Sequence, residues 1–178
     1  ALVIIFQPEL RKALENLGGK NVLGKLFDFG KVEENKFSDH TIDELIKACY
    51  AMGKVKTGAL IVIEDEILLN EYVRTGIELD AVVSSQLLIN IFEHNTPLHD
   101  GAVIVRGDRV VSATCYLPLS DSMTLSKDLG TRHRAAVGIS EVSDSLTIVV
   151  SEETGKVSIA MRGQIYRNVN ADFLRGKL

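Results

Sequence analysis

The chain has 178 residues, 46% of them hydrophobic and 25% charged, with a net charge of −4. That length and apolar content suit one globular domain with a sizeable core, and the acidic balance argues against a nucleic-acid-binding surface. Cys49 and Cys115 stand far apart in apolar contexts, with no disulfide or metal spacing. They read as reduced core residues of an intracellular protein.

The opening run Ala1–Phe6, ALVIIF, is too short to cross a bilayer, which needs about 20 apolar residues. No basic n-region of a signal peptide accompanies it. A start this abrupt, without an initiator Met, reads as a cut inside a longer protein. Pro8–Leu17 has the pattern of a helix, with Pro8 at its first position and Leu10, Ala13, Leu14 and Leu17 on one face. Gly18-Gly19 ends it. Lys20–Phe37 reads as loop.

Ser38-Asp39-His40-Thr41 supplies cap candidates for a second helix that runs to about Lys54. Gly58–Glu64, GALIVIE, is a continuous apolar run and reads as a buried strand. Asp65–Thr75 is expected to hold a loop and a short strand. Val82–Phe92 reads as a third helix with apolar residues on more than one face, hence deeply packed. Ala102–Val105 and Arg109–Tyr116 flank Arg106-Gly107-Asp108 as a hairpin. Pro118–Leu129 is a polar loop, and Thr131–Val142 a fourth helix. Leu146–Ser151 and Val157–Met161 are strands joined by a tight turn. Arg162-Gly163 starts a last reversal, and Ala171–Leu178 a terminal helix. The order αα-β-α-ββ-α-ββ is neither strict βαβ alternation nor all-β. It implies an α/β fold, a single domain with a mixed central sheet and helices on both faces.

Three stretches carry chemistry. In Asn95–Ala102, NTPLHDGA, Asp100 stands between His99 and Gly101 at the head of a strand. A carboxylate beside a glycine leaves open space in which a phosphate or metal can approach the backbone, although Asp-Gly is also a common turn pair. In Leu129–Ala136, LGTRHRAA, Gly130 lets the chain turn, Thr131 is the N-cap candidate, and Arg132, His133 and Arg134 fill the first helical turn. Cations there oppose the helix dipole. A bound anion would reverse that, with free N–H groups and Arg forks converging on one phosphate chain. The alternative is a solvated basic helix start. In Ser151–Gly155, SEETG, Glu152 and Glu153 are either solvated or place one carboxylate beside the phosphates as a ligand for Mg²⁺ or Mn²⁺. Tyr116 either stacks on a base, with the Leu117 backbone reading the base edge, or packs in the core. A metal-phosphohydrolase reading of His99-Asp100 is weak, because His40, His94 and His133 offer no helical i,i+4 pair.

Taken together and in this order, LHDGA, GTRHRAA and VSEETG resemble the diadenylate cyclase domain family, and within it the membrane-associated branch. The likeness runs over nearly the whole chain, so residues 1–178 are expected to be one catalytic domain, with an N-terminal helix over 1–19. The resemblance implies synthesis of cyclic di-AMP from two ATP with release of two pyrophosphates, using Mn²⁺, Mg²⁺ or Co²⁺. It implies that Asp100 sits at the ribose 3′-hydroxyl, with Gly101 and Ala102 giving backbone approach. Arg132, His133 and Arg134 would hold the triphosphate with Thr131 and Ser151. Glu153 would hold the metal, together with Asp100, while Glu152 would line the substrate site and Tyr116 and Leu117 would bind adenine. It further implies a homodimer for catalysis, membrane attachment through preceding helices with this domain in the cytoplasm, a regulatory membrane partner, and inhibition by phosphoglucosamine mutase. A nucleotide sensor would use the same arginines, but Asp100 and Glu153 favour an enzyme.

Overall fold

Every residue of Ala59–Ile63 (β1) is buried, so the sheet it joins needs a covering layer on both faces. The computed structural model describes residues 38–178 apart from Thr124 and Lys127. The helix expected over Pro8–Leu17 and the loop over Lys20–Phe37 lie outside the described residues. In chain order the described elements are α1 (Asp39–Lys54), β1, α2 (Asn70–Val73), β2 (Ile77–Val82), α3 (Ser85–Phe92), β3 (Ala102–Arg106), β4 (Arg109–Cys115), α4 (Thr131–Val142), β5 (Leu146–Val150), β6 (Val157–Met161), β7 (Gln164–Tyr166) and α5 (Ala171–Arg175). The strands form one sheet of seven in the order β2-β4-β3-β1-β5-β6-β7. β1 and β3 are parallel, and the other neighbours antiparallel. The sheet is mixed, as expected.

Side-chain alternation divides the core between two faces. Ala59, Ile61 and Ile63 pack with Leu45, Ala48 and Met52 of α1, Leu88, Ile91 and Phe92 of α3, and Leu174 of α5. Leu60 and Val62 point the other way, to Ala136, Val137 and Ile139 of α4. Each large apolar side chain so buried contributes roughly 1.5–3 kcal/mol relative to exposure. Helices therefore cover both faces. Cys49 and Cys115 are buried free thiols, and burial pushes the Cys49 thiol up to about 12.

Side-chain caps fix the starts of α1 and α3. Ser38 Oγ accepts from Thr41 N at 3.3 Å at the head of α1. Ser84 Oγ accepts from Leu87 N at 3.2 Å at the head of α3. Glu44 on α1 also accepts from Ser85 N at 2.6 Å, which ties the two helices together. At the C-terminus, Tyr50 donates to the Val169 carbonyl at 2.7 Å and Arg175 pairs with Asp43, docking α5 on α1.

Three expectations need correction. Asp65–Thr75 holds no strand but a loop and the one-turn helix α2. Its N–H groups are taken by carboxylates: buried Glu64 accepts from Leu69 N at 2.8 Å, and Asp144 accepts from Glu66 N and Ile67 N, each at 3.2 Å. Glu64 is itself held by Arg106. The strand comes later, as β2, where Val82 ends a strand and does not begin a helix. Finally, the expected order of elements lacks a strand: the reversal at Arg162-Gly163 is present as expected, and a short strand, β7, follows it.

The Ser85 backbone N–H holds the Glu44 carboxyl at about 2, down from its ordinary value of 4.5. A depressed folded value stabilises the fold above the unfolded value, and that stability is lost as pH falls between the two. Glu44→Gln should lower the urea midpoint at pH 7, and its gap to the parent should narrow from about pH 4.5 downwards. A gap of constant size from pH 7 to pH 3 would contradict this role.

Candidate active site

Strand register brings the three motifs to one end of the sheet. Ala59 pairs with Val150, Ala102 with Cys115, and Ile61 with Val103. The N-terminal ends of β1 and β3 and the C-terminal ends of β4 and β5 therefore lie side by side. Thr57-Gly58, Asp100-Gly101, Tyr116-Leu117 and Ser151–Glu153 emerge there together. The N-terminus of α4 joins them, because Arg132 Nη1 donates to Glu152 Oε2 at 2.6 Å.

Gly101 has φ +98, and a Cβ on it would meet the backbone of Thr114 at 2.8 and 2.9 Å. The expected open space over Gly101 is thus occupied by β4. Thr114 itself has φ +57, where the β3–β4 register shifts. Such a bulge re-aims the residues after it, here Cys115 and Tyr116. Asp100 is exposed and has no hydrogen-bond partner among the described residues. His99 is turned to structure: its Nδ1 lies 2.6 Å from the Thr96 carbonyl. That oxygen only accepts, so Nδ1 carries the proton.

Gly130, not Thr131, is the N-cap of α4, and no side chain caps the helix. The first helical bond runs from Arg134 N to Gly130 O at 3.2 Å. The N–H groups of Thr131, Arg132 and His133 therefore lack helical acceptors. A Cβ on Gly130 would meet nothing within 4 Å. Open ground for an anion lies here, beside uncapped N–H groups.

The charges around that ground are balanced unevenly. Arg132 is offset by Glu152. Burial, and then Arg167, hold the His133 imidazole below its ordinary value, while Glu153 pulls the other way. His133 is therefore largely neutral at pH 7. Arg134, half-buried, and Arg167, just after β7, have no ion-pair partner among the described residues. Glu153 and Asp100 are exposed carboxylates. Among the described residues no three His, Cys, Asp or Glu side chains gather into a preformed metal cage. Two oxygen donors that leave room for phosphate and water oxygens suit Mg²⁺ or Mn²⁺, so Asp100 and Glu153 could hold such an ion.

Tyr116 is 75% exposed, which excludes core packing and leaves its ring face available. Its N–H is held by Thr75 Oγ1 at 2.9 Å, and that hydroxyl donates to Tyr72 O at 2.6 Å. Leu117 is half-buried against the α4 layer. Next to it, Pro118 O would lie 2.1 Å from a Cβ on Gly138, and Ser120 donates to Glu141 at 2.7 Å. Gly138 thus lets the loop after β4 close on α4. Ser151 Oγ accepts from Thr154 N at 3.2 Å inside the SEETG turn. Sequence reasoning missed Gly58, Thr75 and Arg167. Gly58 did carry a signal, since a glycine at a strand start often marks close approach.

An uncapped helix start, arginine forks and an exposed aromatic at the ends of sheet strands make this end of the α/β domain a candidate site for phosphate and a base. The chain belongs to the diadenylate cyclase (DAC) family, whose profile, described as DisA bacterial checkpoint controller nucleotide-binding, matches residues 46–165. It is 53% identical over 178 residues to cyclic di-AMP synthase CdaA of Bacillus subtilis (strain 168), all of this chain and 64% of that protein. It is 36% identical over 152 residues to a diadenylate cyclase of Mycoplasma genitalium, covering 84% of this chain and 76% of that one. The chain spans less than two thirds of the B. subtilis relative's length. Among solved structures it is similar to DacA from Staphylococcus aureus, a double mutant, with TM-score 0.76 and 50% identity over 78% of this chain and 92% of that chain. Among the described residues no helix is long and apolar enough to cross a membrane.

The SEETG turn is seated by two glycines. A Cβ on Gly155, which has φ +71, would lie 2.1 Å from Gly53 O at the end of α1. Gly155→Ala should cost about 2 kcal/mol or more through left-handed strain and a backbone clash. Urea denaturation reads this directly, and a loss below about 0.5 kcal/mol, the range of neutral surface changes, would contradict the close approach.

Proposed function

We propose that the chain is a diadenylate cyclase domain that condenses two ATP into cyclic di-AMP and releases two pyrophosphates. The observation that carries this reading is the convergence of Asp100, Tyr116, the open α4 N-terminus and Glu153 at one end of the sheet. The family relationship supports it. Adenine would stack on Tyr116 beside the Leu117 backbone. The triphosphate would lie over Gly130, on the N–H groups of Thr131, Arg132 and His133, with Arg132, Arg134 and Arg167 around it. His133 would serve there as a hydrogen-bonding group. Ser151 keeps its own hydroxyl proton for a phosphate oxygen while its oxygen holds the turn.

In each linkage a ribose 3′-oxygen attacks the α-phosphorus of the other ATP. The new O–P bond forms as the bond to pyrophosphate breaks, and the hydroxyl proton leaves through the Asp100 carboxylate. Arginines and helix N–H groups stabilise the charge that grows on the leaving group. A divalent ion, Mn²⁺, Mg²⁺ or Co²⁺, held by Asp100 and Glu153, would neutralise phosphoryl oxygens. Asp100 and Glu153 also separate this reading from a nucleotide sensor, which gains little from either carboxylate.

Incubation with ATP and Mn²⁺ followed by chromatography should give a cyclic dinucleotide. Asp100→Asn should reduce the rate by ~10²–10⁴-fold with the fold intact. An Asn variant within a few-fold of the parent would remove Asp100 from the reaction.

One chain carries one LGTRHR and one SEETG, hence one triphosphate cradle, whereas the product needs two reacting centres face to face. A two-fold pair of domains supplies them, and positioning then does much of the catalysis. Specific activity should rise with enzyme concentration until the pair saturates. Flat specific activity from nanomolar to high micromolar enzyme, with a monomeric mass in ATP and Mn²⁺, would sink the paired mechanism. By resemblance the proposal extends to a membrane-attached parent protein whose catalytic domain faces the cytoplasm, with a regulatory membrane partner and phosphoglucosamine mutase as binders.

A further inference from the structure

Arg132 does not stand free at the start of α4. Its side chain is only 25% exposed, and the side chain of Glu152, whose carboxylate holds its Nη1, is 52% exposed. The pair lies over Gly58, just before β1. A Cβ on Gly58 would stand 2.9 Å from Arg132 Nη1, 2.9 Å from Glu152 Oε2 and 3.0 Å from Arg132 Cζ. Its three nearest neighbours would all belong to these two side chains. Gly58 is not among the glycines with positive φ, so backbone conformation does not require glycine there. Room for the pair does.

We propose that Gly58 and Glu152 are positioning residues for Arg132, an inference that rests on reading this end of the sheet as a triphosphate cradle. Glu152 was expected to touch substrate. Its contact is with Arg132. Of the five N–H donors of a guanidinium, Glu152 engages Nη1 alone. The Nε and Nη2 groups have no partner among the described residues and remain for phosphate oxygens. Glu152 fixes the plane of the fork from the side, and Gly58 gives the fork a flat floor of backbone. An arginine ordered in advance loses less freedom when the anion arrives. The arrangement also explains why a carboxylate is tolerated beside a site for anions, since its charge is spent on Arg132.

The test uses calorimetry of a non-hydrolysable ATP analogue with Mn²⁺, on the parent and on Gly58→Ala, Glu152→Ala, Glu152→Gln and Arg132→Ala. Gly58→Ala and Glu152→Ala should each weaken binding about tenfold, the order of one charge-assisted hydrogen bond. Glu152→Gln should recover most of the loss, because its amide oxygen still accepts from Nη1. In the Arg132→Ala background neither change should have a further effect, as expected when two residues act through a third. The thermal midpoint of Gly58→Ala should stay with the parent's, since the methyl meets only the ends of flexible side chains. Should that variant unfold, Glu152→Ala, at an exposed carboxylate, carries the test. A parent that fails to bind the analogue removes the underlying site reading. A parent that binds, with both variants unchanged or with losses that add to that of Arg132→Ala, overturns the positioning role alone. A Glu152→Ala defect cured by raising Mn²⁺ would make Glu152 a metal ligand and equally overturn it.

Discussion

Parallel pairing of β1 with β3, flanked by antiparallel β5 and β4, is the constraint on which the site depends. It sets two strand beginnings and two strand ends at the same end of the sheet. Segments far apart in sequence, Thr57-Gly58 and Ser151–Glu153 among them, then meet there. That arrangement requires a sheet core that cannot slip by one residue, because a slip would exchange its two buried faces. The fully buried β1 and β5, and β3 up to Val105, supply this restraint, with α1, α3 and α5 on one side and α4 on the other.

On that frame the loops are seated by close backbone approach. Gly101 lies against the bulge at Thr114, Gly138 against Pro118, and Gly155 against Gly53. Each contact sets one segment of the site: Asp100, Tyr116-Leu117 and Ser151–Glu153 in turn. The electrostatics follow from the same geometry. The helix dipole and the cations of α4 add at one point, which on its own is unfavourable. Glu152 offsets Arg132, burial lowers the affinity of His133 for a proton, and Arg167 adds positive charge near His133.

The sequence made much of this legible. The continuous apolar run at Gly58–Glu64 gave a buried strand, and the cap candidates Ser38–Thr41 gave the start of α1. Edge strands were harder to read. β2 carries Glu78 and Asp80, poor strand formers, and bends where Asp80 takes φ +44. Its only strand neighbour among the described residues is β4, and it lacks the apolar signal of a buried strand. The loop after β1 looked apolar enough for a strand, yet buried Glu64 and distant Asp144 claim its N–H groups. Those are tertiary contacts that no local pattern contains. At the site, the motifs Asp100-Gly101, Arg132–Arg134 and Glu152-Glu153 were readable as chemistry. Their division of labour was not. Open space belongs to Gly130 and not Gly101, Glu152 serves Arg132, and Arg167 arrives from a strand end far along the chain.

The central claim is that these strand ends and the α4 N-terminus form one nucleotide cradle. A crystal structure of the chain with a non-hydrolysable ATP analogue and Mn²⁺ tests it most directly. The account expects the triphosphate over Gly130 within hydrogen-bond reach of Arg132 and Arg134, adenine against Tyr116, and the ribose 3′-hydroxyl beside Asp100. A nucleotide bound at the opposite end of the sheet, or with its phosphates away from the start of α4, would contradict it.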